Sequence, residues 1–313
     1  MKVFITGATG FIGSNVLKYF FNRGDEIHIL LREGSNKWRL ENNVSSINTH
    51  IGDLTCYHSV ESILSNVNPD IVINCSGLVK GFAITDQENV IQSNFVGTVN
   101  LVNACIRSNV EILISTGSAY ECGFSGNSLP NNGCTGEPIG LYGIVKKAEK
   151  EYVAMISQKY KKKYLTARLF TPFGFFDSSF RLVPYLILSI LDGKIPKIKT
   201  PNSGRDFIFA NDIGKIFYNM VTNDEVLQNN TVVNIATGKL TKVNEIVKML
   251  FEIAGLDYMP DYSLDRTSNQ YLYAEYREVN ELLAKLHVRT SPLFQSLERT
   301  FNWFKEYRRY YVD

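Results

Sequence analysis

An α/β fold with a doubly wound parallel sheet and a smaller C-terminal lobe is predicted for this chain, on three observations. Short apolar stretches alternate with helical stretches through the first half. A glycine-rich turn, Gly7-Ala8-Thr9-Gly10-Phe11-Ile12-Gly13, joins the first apolar stretch to the first helix. After about Leu169 the alternation gives way to frequent proline and glycine, at Pro172, Gly174, Pro184, Gly193, Pro196, Pro201 and Gly204. Strand–helix alternation builds a parallel sheet with helices on both faces, the Rossmann type of architecture. Residues 1–169 are read as the sheet unit and 170–313 as mainly the second lobe. A strand at 232–236 is expected to return to the main sheet.

The elements follow in order. Lys2–Thr6 reads as a buried strand, 7–13 as a tight turn and 11–23 as a helix ended by Gly24. Glu26–Leu31 is a second strand, and further strands are read at 46–51, 70–74, 111–116 and 164–169. Helical patterns fill the gaps, notably 89–107 and 141–160. The strands are apolar nearly throughout, as parallel strands covered on both faces should be.

The 313 residues suffice for one large domain or two modest ones. A net charge of +2 gives no sign of a nucleic-acid or membrane-surface partner. The basic run at Lys159, Lys161, Lys162 and Lys163 is read as a solvated helix end. Tyr307 to Tyr311, where rings alternate with arginines, is read as an amphipathic helix end. No apolar run is long enough to span a bilayer, and the turn from Thr6 to Gly10 interrupts any signal-peptide pattern. The five cysteines are odd in number and match no metal or disulfide frame. Reduced thiols in a cytoplasm are therefore expected.

The glycine pattern carries the first chemical implication. The backbone must turn sharply, approach a pyrophosphate closely and let the helix pack on the strand, and glycine permits all three. The N–H groups at the helix start then face the anion. Gly7, Thr9, Gly10, Phe11, Ile12 and Gly13 are the expected dinucleotide contacts. An acid at the end of the second strand would accept from the ribose 2′-hydroxyl and select NAD(H). Here Leu31 and Arg32 stand there. The Arg32 fork suits a 2′-phosphate, and Ser35, Asn36 and Lys37 add donors. NADP(H) is the expected cofactor and NAD(H) the alternative, with Glu33 as its ribose acceptor. Asp53, followed by Leu54, stands where a carboxylate can accept from the adenine amino group or close a turn.

Tyr142 and Lys146 are four apart on a helix and so share a face. An ammonium near a phenol lowers the phenol's pKa. Tyr142 can then exchange a proton with a carbonyl or alcohol oxygen near neutral pH. Thr116, at the carboxyl end of a strand, can donate to the same oxygen.

With these residues the chain resembles the extended short-chain dehydrogenase/reductase family, which modifies nucleotide sugars. The resemblance covers nearly the whole chain. It rests on 6–13, Asp53-Leu54, 74–77, Asn94-Phe95-Val96-Gly97-Thr98, 115–120, 142–146, 168–174 and 205–213. It implies Tyr142 as proton donor or acceptor, Lys146 as pKa modulator and ribose ligand, and Thr116 as third catalytic residue. It also implies Cys75, Ser76 and Gly77 beside the cofactor, and Ser118, Thr171, Arg205 and, more loosely, Arg266 beside the substrate. Arg205 would take the diphosphate; the other reading pairs it with Asp206 or another acid. The Asp-Glu that follows the catalytic Thr in 4,6-dehydratases is replaced here by Gly117-Ser118, which speaks against dehydration. Thr171 and Phe173 replace the family's Asn and Tyr. The segment 168–174 resembles the sugar 4-ketoreductases, including the abequose- and paratose-type CDP-sugar synthases.

These features imply NADPH-dependent reduction of a 4-keto-deoxyhexose nucleotide. The alternatives are an NAD-dependent epimerase of the same family, a non-catalytic dinucleotide sensor, and a reductase of aromatic or steroid ketones. The complete Thr116, Tyr142 and Lys146 set speaks against the sensor, and Arg205 against the last. Asp212 is read as the cap of a helix at 213–221. Phe173, Phe175, Phe176 and Phe180 line a pocket or pack between the lobes. A homodimer through the helices at 89–107 and 141–160 is expected by resemblance.

Overall fold

The computed structural model describes residues 1–40, 46–79, 84–134, 136–229, 231–257, 260–262 and 270–311. In chain order the first half comprises β1 (Lys2–Thr6), α1 (Phe11–Phe21), β2 (Glu26–Leu31), β3 (Asn48–Ile51), α2 (Tyr57–Val67) and β4 (Ile71–Asn74). Next come α3 (Ile84–Val90), a π-helical segment (Ile91–Val96), α4 (Gly97–Arg107), β5 (Ile112–Ser118), α5 (Gly140–Tyr160) and β6 (Lys163–Leu169). The second half contains β7 (Thr171–Phe173), α6 (Leu182–Leu191), β8 (Gly204–Arg205), β9 (Phe207–Phe209), α7 (Ala210–Val221) and α8 (Asp224–Asn229). It ends with β10 (Val232–Ile235), β11 (Thr241–Lys242), α9 (Val243–Ile253), β12 (Tyr271–Leu272), α10 (Tyr276–Lys285) and α11 (Leu293–Glu306).

Seven strands form one parallel sheet in the order β10-β6-β5-β4-β1-β2-β3. The expected return strand is β10, beside β6. Successive side chains of a strand point to opposite faces, and both faces are covered. Val3 and Ile5 of β1 join the core containing Val16, Leu17 and Phe20 of α1 and Ile213, Ile216 and Phe217 of α7. Phe4 joins the opposite core with Val60 and Leu64 of α2, Leu101 and Val102 of α4, and Val153 and Ile156 of α5. α1 and α7 pack closely because residue 214 is glycine: a Cβ there would lie 2.8 Å from Tyr19 Cβ and 3.0 Å from the Asn15 carbonyl.

From β1 the chain builds outward through β2 and β3, then returns to β4 on the other side of β1. The crevice between the carboxyl ends of β1 and β4 is the switch point where ligands of such sheets bind. A third core joins Phe173, Phe207 and Phe209 to Val183, Leu186 and Ile187 of α6, Ile246, Val247 and Leu250 of α9, and Leu297, Phe301 and Phe304 of α11.

Several expectations are corrected. The helix read at 89–107 is divided by the π-helical turn. β5 runs on to Ser118 because β6 matches it residue for residue, with Gly117 opposite Arg168 and Ser118 opposite Leu169. Asp212 is not the cap of α7, which begins after Phe209. Its carboxylate instead accepts from Ser291 N at 2.7 Å and Ser291 Oγ at 2.9 Å, fastening the segment before α11. The five thiols are not all free: Cys122 and Cys134 form a disulfide across a Cα separation of 4.4 Å. Lys162 and Lys163 are not merely solvated, for they pair with Glu111 and Asp224, both at 2.8 Å. The rings of Tyr307 and Tyr310 stack on Trp303 and Trp38, and Tyr311 packs edge-on to Trp38. Of the four phenylalanines, Phe173 and Phe176 are buried and Phe175 packs against their core, while Phe180 is exposed. Among the described residues, no helix is long and apolar enough to cross a membrane.

Candidate active site

The glycine-rich turn folds onto the end of β4. Gly7 has φ +67°, and a Cβ there would lie 2.5 Å from the Cys75 carbonyl carbon. A Cβ on Gly13 would lie 2.1 Å from the Gly7 oxygen. Gly10 N donates to Gly7 O at 2.9 Å and Gly10 O accepts from Ser14 N at 3.0 Å, closing the turn into α1. Gly10 is the N-cap of α1 and makes no side-chain cap bond, so the first-turn N–H groups suit an anion. The Thr9 carbonyl accepts from Arg39 Nη1 at 3.3 Å and the Phe11 carbonyl from Asn15 Nδ2 at 2.8 Å. Ile12 packs partly buried against the main core.

Past β2, Arg32, Glu33, Gly34, Ser35 and Asn36 face Ile51, Gly52 and Asp53 across an open cleft of about 670 Å³. Leu31 is buried, while Arg32 and Glu33 are exposed. Asp53 Oδ1 accepts from Thr55 N at 2.8 Å and Thr55 Oγ1 at 2.9 Å, the turn role that the sequence left open. Leu54 is buried, and its carbonyl accepts from Asn100 Nδ2 at 2.8 Å. The glycine cradle, the uncapped helix start and this cleft fit a dinucleotide.

At the end of β4, buried Asn74 is a hub. Its Oδ1 accepts from Thr6 Oγ1 at 2.7 Å and Ser76 N at 3.2 Å. Its Nδ2 donates to Thr98 Oγ1 and Ser115 Oγ, both at 3.2 Å. Its carbonyl accepts from Thr116 Oγ1 at 3.0 Å. Burial pushes the Cys75 thiol up to about 12, against the pull of Lys146, so it stays a neutral thiol. Gly77 lies close by: a Cβ there would be 3.6 Å from Lys146 Nζ. Asn94, in the π-helical turn, ties down the next residue through Leu78 N at 2.7 Å and Leu78 O at 3.1 Å.

α5 brings Tyr142 and Lys146 to this edge. Lys146 is buried, and its Nζ donates to Thr116 O at 3.0 Å and to Glu149 Oε2 at 2.9 Å. It lies 6.0 Å from the centre of the Tyr142 ring. Two expectations change here. The Thr116 hydroxyl is turned to the Asn74 carbonyl, and Ser118 is the residue that hydrogen-bonds the Tyr142 side chain. The Tyr142 pKa is not lowered overall: burial raises it, and the pull of Lys146 only moderates the rise. Burial lowers the Lys146 pKa, but Glu149 and Tyr142 carry it above its ordinary value. Glu149 itself is pushed up by burial against the pull of Lys146 and its bond from Thr98. Sequence reasoning missed Glu149. Its signal was position alone, the third residue beyond Lys146 on the Tyr142 face.

On the second lobe's side, Thr171 N donates to Asp206 O at 2.9 Å. Asp206 does not pair with Arg205: its buried carboxylate accepts from Thr237 N and Oγ1, Gly238 N and Ala274 N. Arg205 Nη1 donates to the carbonyls of Gly204 and Gln270, both at 2.8 Å, and its guanidinium lies 4.8 Å from the Phe124 ring centre. Among the described residues it has no carboxylate partner. Arg168, from the same family segment as Thr171, is buried on Glu121 and the Asn131 carbonyl. Arg266 lies outside the described residues.

A parallel sheet with a glycine cradle at its switch point and a Tyr–Lys pair on the same edge defines a dinucleotide-dependent enzyme. The chain belongs to the NAD dependent epimerase/dehydratase family, whose description matches residues 3–236. It is 28% identical to GDP-6-deoxy-D-talose 4-dehydrogenase of Aggregatibacter actinomycetemcomitans, over 81% of this chain and 80% of that one. It is 22% identical to CDP-abequose synthase of Yersinia pseudotuberculosis, over 81% and 84%. Its fold matches the UDP-glucose 4-epimerase of Thermotoga maritima, solved with UDP-glucose, at a TM-score of 0.87 and 22% identity over 98% of this chain and 100% of that one.

Proposed function

We propose that this enzyme reduces a 4-keto-deoxyhexose carried on a nucleoside diphosphate, using NADPH. The observation that carries the reading is the placement of Tyr142, Lys146 and the glycine turn on one carboxyl edge of the sheet, where Lys146 Nζ is fixed 3.0 Å from Thr116 O. The bound dinucleotide supplies the hydride to the ketone carbon. The chain supplies the rest. Tyr142 gives its proton to the ketone oxygen, turning C=O into CH–OH. Lys146 stabilises the phenolate left behind, Ser118 orients the hydroxyl, and solvent returns the proton.

Residues 1–169 with β10 hold the dinucleotide in this reading, and the remainder of 170–313 holds the nucleotide sugar. Arg205, without a carboxylate partner among the described residues, suits the diphosphate. Arg32 and Ser35 on the cleft suit a 2′-phosphate. Dehydration is disfavoured chemically: Gly117 and Ser118 stand where an acid and a base would be needed, and neither can serve as general acid or base in that way. Two relatives named for chemistry on GDP- and CDP-linked sugars support the substrate class.

Tyr142→Phe tests the reading. Turnover of a 4-keto-sugar nucleotide is expected to fall by roughly 100- to 10,000-fold, while cofactor binding, read by thermal shift, is unchanged. Thermal shifts with NAD, NADP, UDP, CDP, GDP and dTDP identify cofactor and base together. Full activity in Tyr142→Phe removes the proposed role. Tightly retained NAD with no net NADPH consumption converts the reading to the epimerase.

A further inference from the structure

Glu149 shares a face of α5 with Tyr142 and Lys146, seven residues after the first and three after the second. Its side chain and that of Lys146 are each 3% exposed. Oε2 lies 2.9 Å from Lys146 Nζ and accepts from Thr98 Oγ1 at 3.3 Å. Oε1 is buried and has no hydrogen-bond partner among the described residues. Thr98 Oγ1 accepts from Asn74 Nδ2, and Asn74 Oδ1 from Thr6 Oγ1. The carboxylate therefore ends a buried polar chain that starts at the strand leading into the glycine turn.

An ammonium has three donors. Glu149 and Thr116 hold two of those on Lys146, so its direction is set before any ligand arrives. The same carboxylate places a negative charge two helical turns from the phenol, where it opposes formation of a phenolate. We propose that Glu149 is a positioning residue: it locks the Lys146 ammonium in place and, as a negative charge on the same helix face, makes the Tyr142 phenolate harder to form. The proposal rests on Tyr142 being the proton donor.

The surroundings agree. Burial raises Tyr142, Lys146 lowers it and Glu149 raises it again. Other charged or titratable groups acting on the three residues are few. Glu121, from the turn after β5, acts on Lys146 and Glu149. Arg181, at the start of α6, acts on Tyr142 and weakly favours the phenolate. The Cys75 thiol beside Lys146 stays neutral.

The test is an absorbance titration of tyrosinate on the whole protein, each sample read against its Tyr142→Phe counterpart to isolate residue 142. In Glu149→Gln the Tyr142 midpoint is expected to fall by about one pH unit, the size of an interaction across two helical turns at an effective dielectric near 20. Glu149→Asp draws the charge back and is expected to move the midpoint the same way by a smaller step, so it serves if the first variant does not fold. An unmoved or raised midpoint in a folded variant overturns the proposal. Turnover is not read, so the result stands apart from the substrate assignment. The proton-donor role on which the proposal rests fails instead if Tyr142→Phe retains activity, and the substrate assignment fails if no nucleotide shifts the melting temperature.

Discussion

Two glycines with the same backbone sign separate conformational strain from close approach. Gly7 (φ +67°) is in a left-handed conformation and is packed on the Cys75 backbone, whereas a Cβ on Gly24 (φ +82°) would meet nothing within 4 Å among the described residues. Alanine at residue 24 meets only the left-handed penalty, about 1–2 kcal/mol of stability, and leaves the cofactor site alone. Alanine at residue 7 adds a backbone collision, whose relief costs a further ~1–3 kcal/mol and displaces the turn that faces the pyrophosphate. Gly7→Ala is therefore expected to lose dinucleotide affinity by at least roughly tenfold, and Gly24→Ala to melt lower with affinity unchanged. Calorimetric binding and thermal melting on both variants check this. Equal loss of affinity in the two would show that the turn is sensitive to global stability rather than to its own packing.

At the scale of elements, the outer edge of the sheet carries a proton-sensitive contact. His28 of β2 and His50 of β3 stack with ring centres 5.2 Å apart, and Nδ1 of the first meets Nε2 of the second at 2.9 Å. The other nitrogen of His28 meets Glu26 Oε1 at 2.8 Å. Burial, and then His28, hold His50 below its ordinary value of 6.5. The folded state thus binds this proton less readily than the unfolded chain. Its contribution to stability is complete above the unfolded pKa and is lost as pH falls below about 6.5. Melting temperatures of wild type and His50→Gln should converge or cross between pH 7.5 and 5, a differential of about 1–3 °C after solvent screening. A constant difference across that range would remove the histidine pair from the acid response. This contact also marks a limit of sequence reading. Continuous apolar runs made β1, β2, β4, β5 and β6 legible, because strands buried on both faces have little compositional freedom. The pairing of His28 with His50 depends on strand register, which periodicity leaves open. The two- and three-residue strands β7, β8, β9, β11 and β12 were hidden for a related reason: none is long enough to show a period. At the site, Tyr142, Lys146 and the glycines were legible from local spacing. The Ser118 contact and the Asn74 hub were not, since each joins elements far apart in the chain, and Glu149, on the same helix, had only its position on the Tyr142 face to mark it. The Cys122–Cys134 disulfide escaped because the frame of cysteine spacings says nothing of where a loop returns.

For the whole molecule, the outer face of α5 leaves apolar surface in solvent. Ile144 is 55% exposed and Met155 51% exposed. They stand eleven residues apart, three helical turns, and so on one stripe of the helix. Ile91, in the π-helical turn before α4, is 40% exposed. The two helices pack together through the core of Leu101, Val102, Val153 and Ile156, so they present their outer faces as one rigid surface. We propose that a second copy of the chain covers this surface by two-fold symmetry, pairing α4 and α5 with their counterparts as a four-helix bundle. Burying each of these side chains contributes about 1.5–3 kcal/mol, and symmetry counts each one twice. The double substitution Ile144→Lys and Met155→Lys places four ammonium groups in that contact. It is expected to weaken self-association by more than about 1,000-fold, seen as a shift to monomer in sedimentation velocity. Neither side chain belongs to the Tyr142–Lys146–Glu149 face, so dinucleotide binding to the monomer should persist. A wild-type chain that sediments as a monomer at tens of micromolar would leave the stripe without its partner and sink the proposed interface.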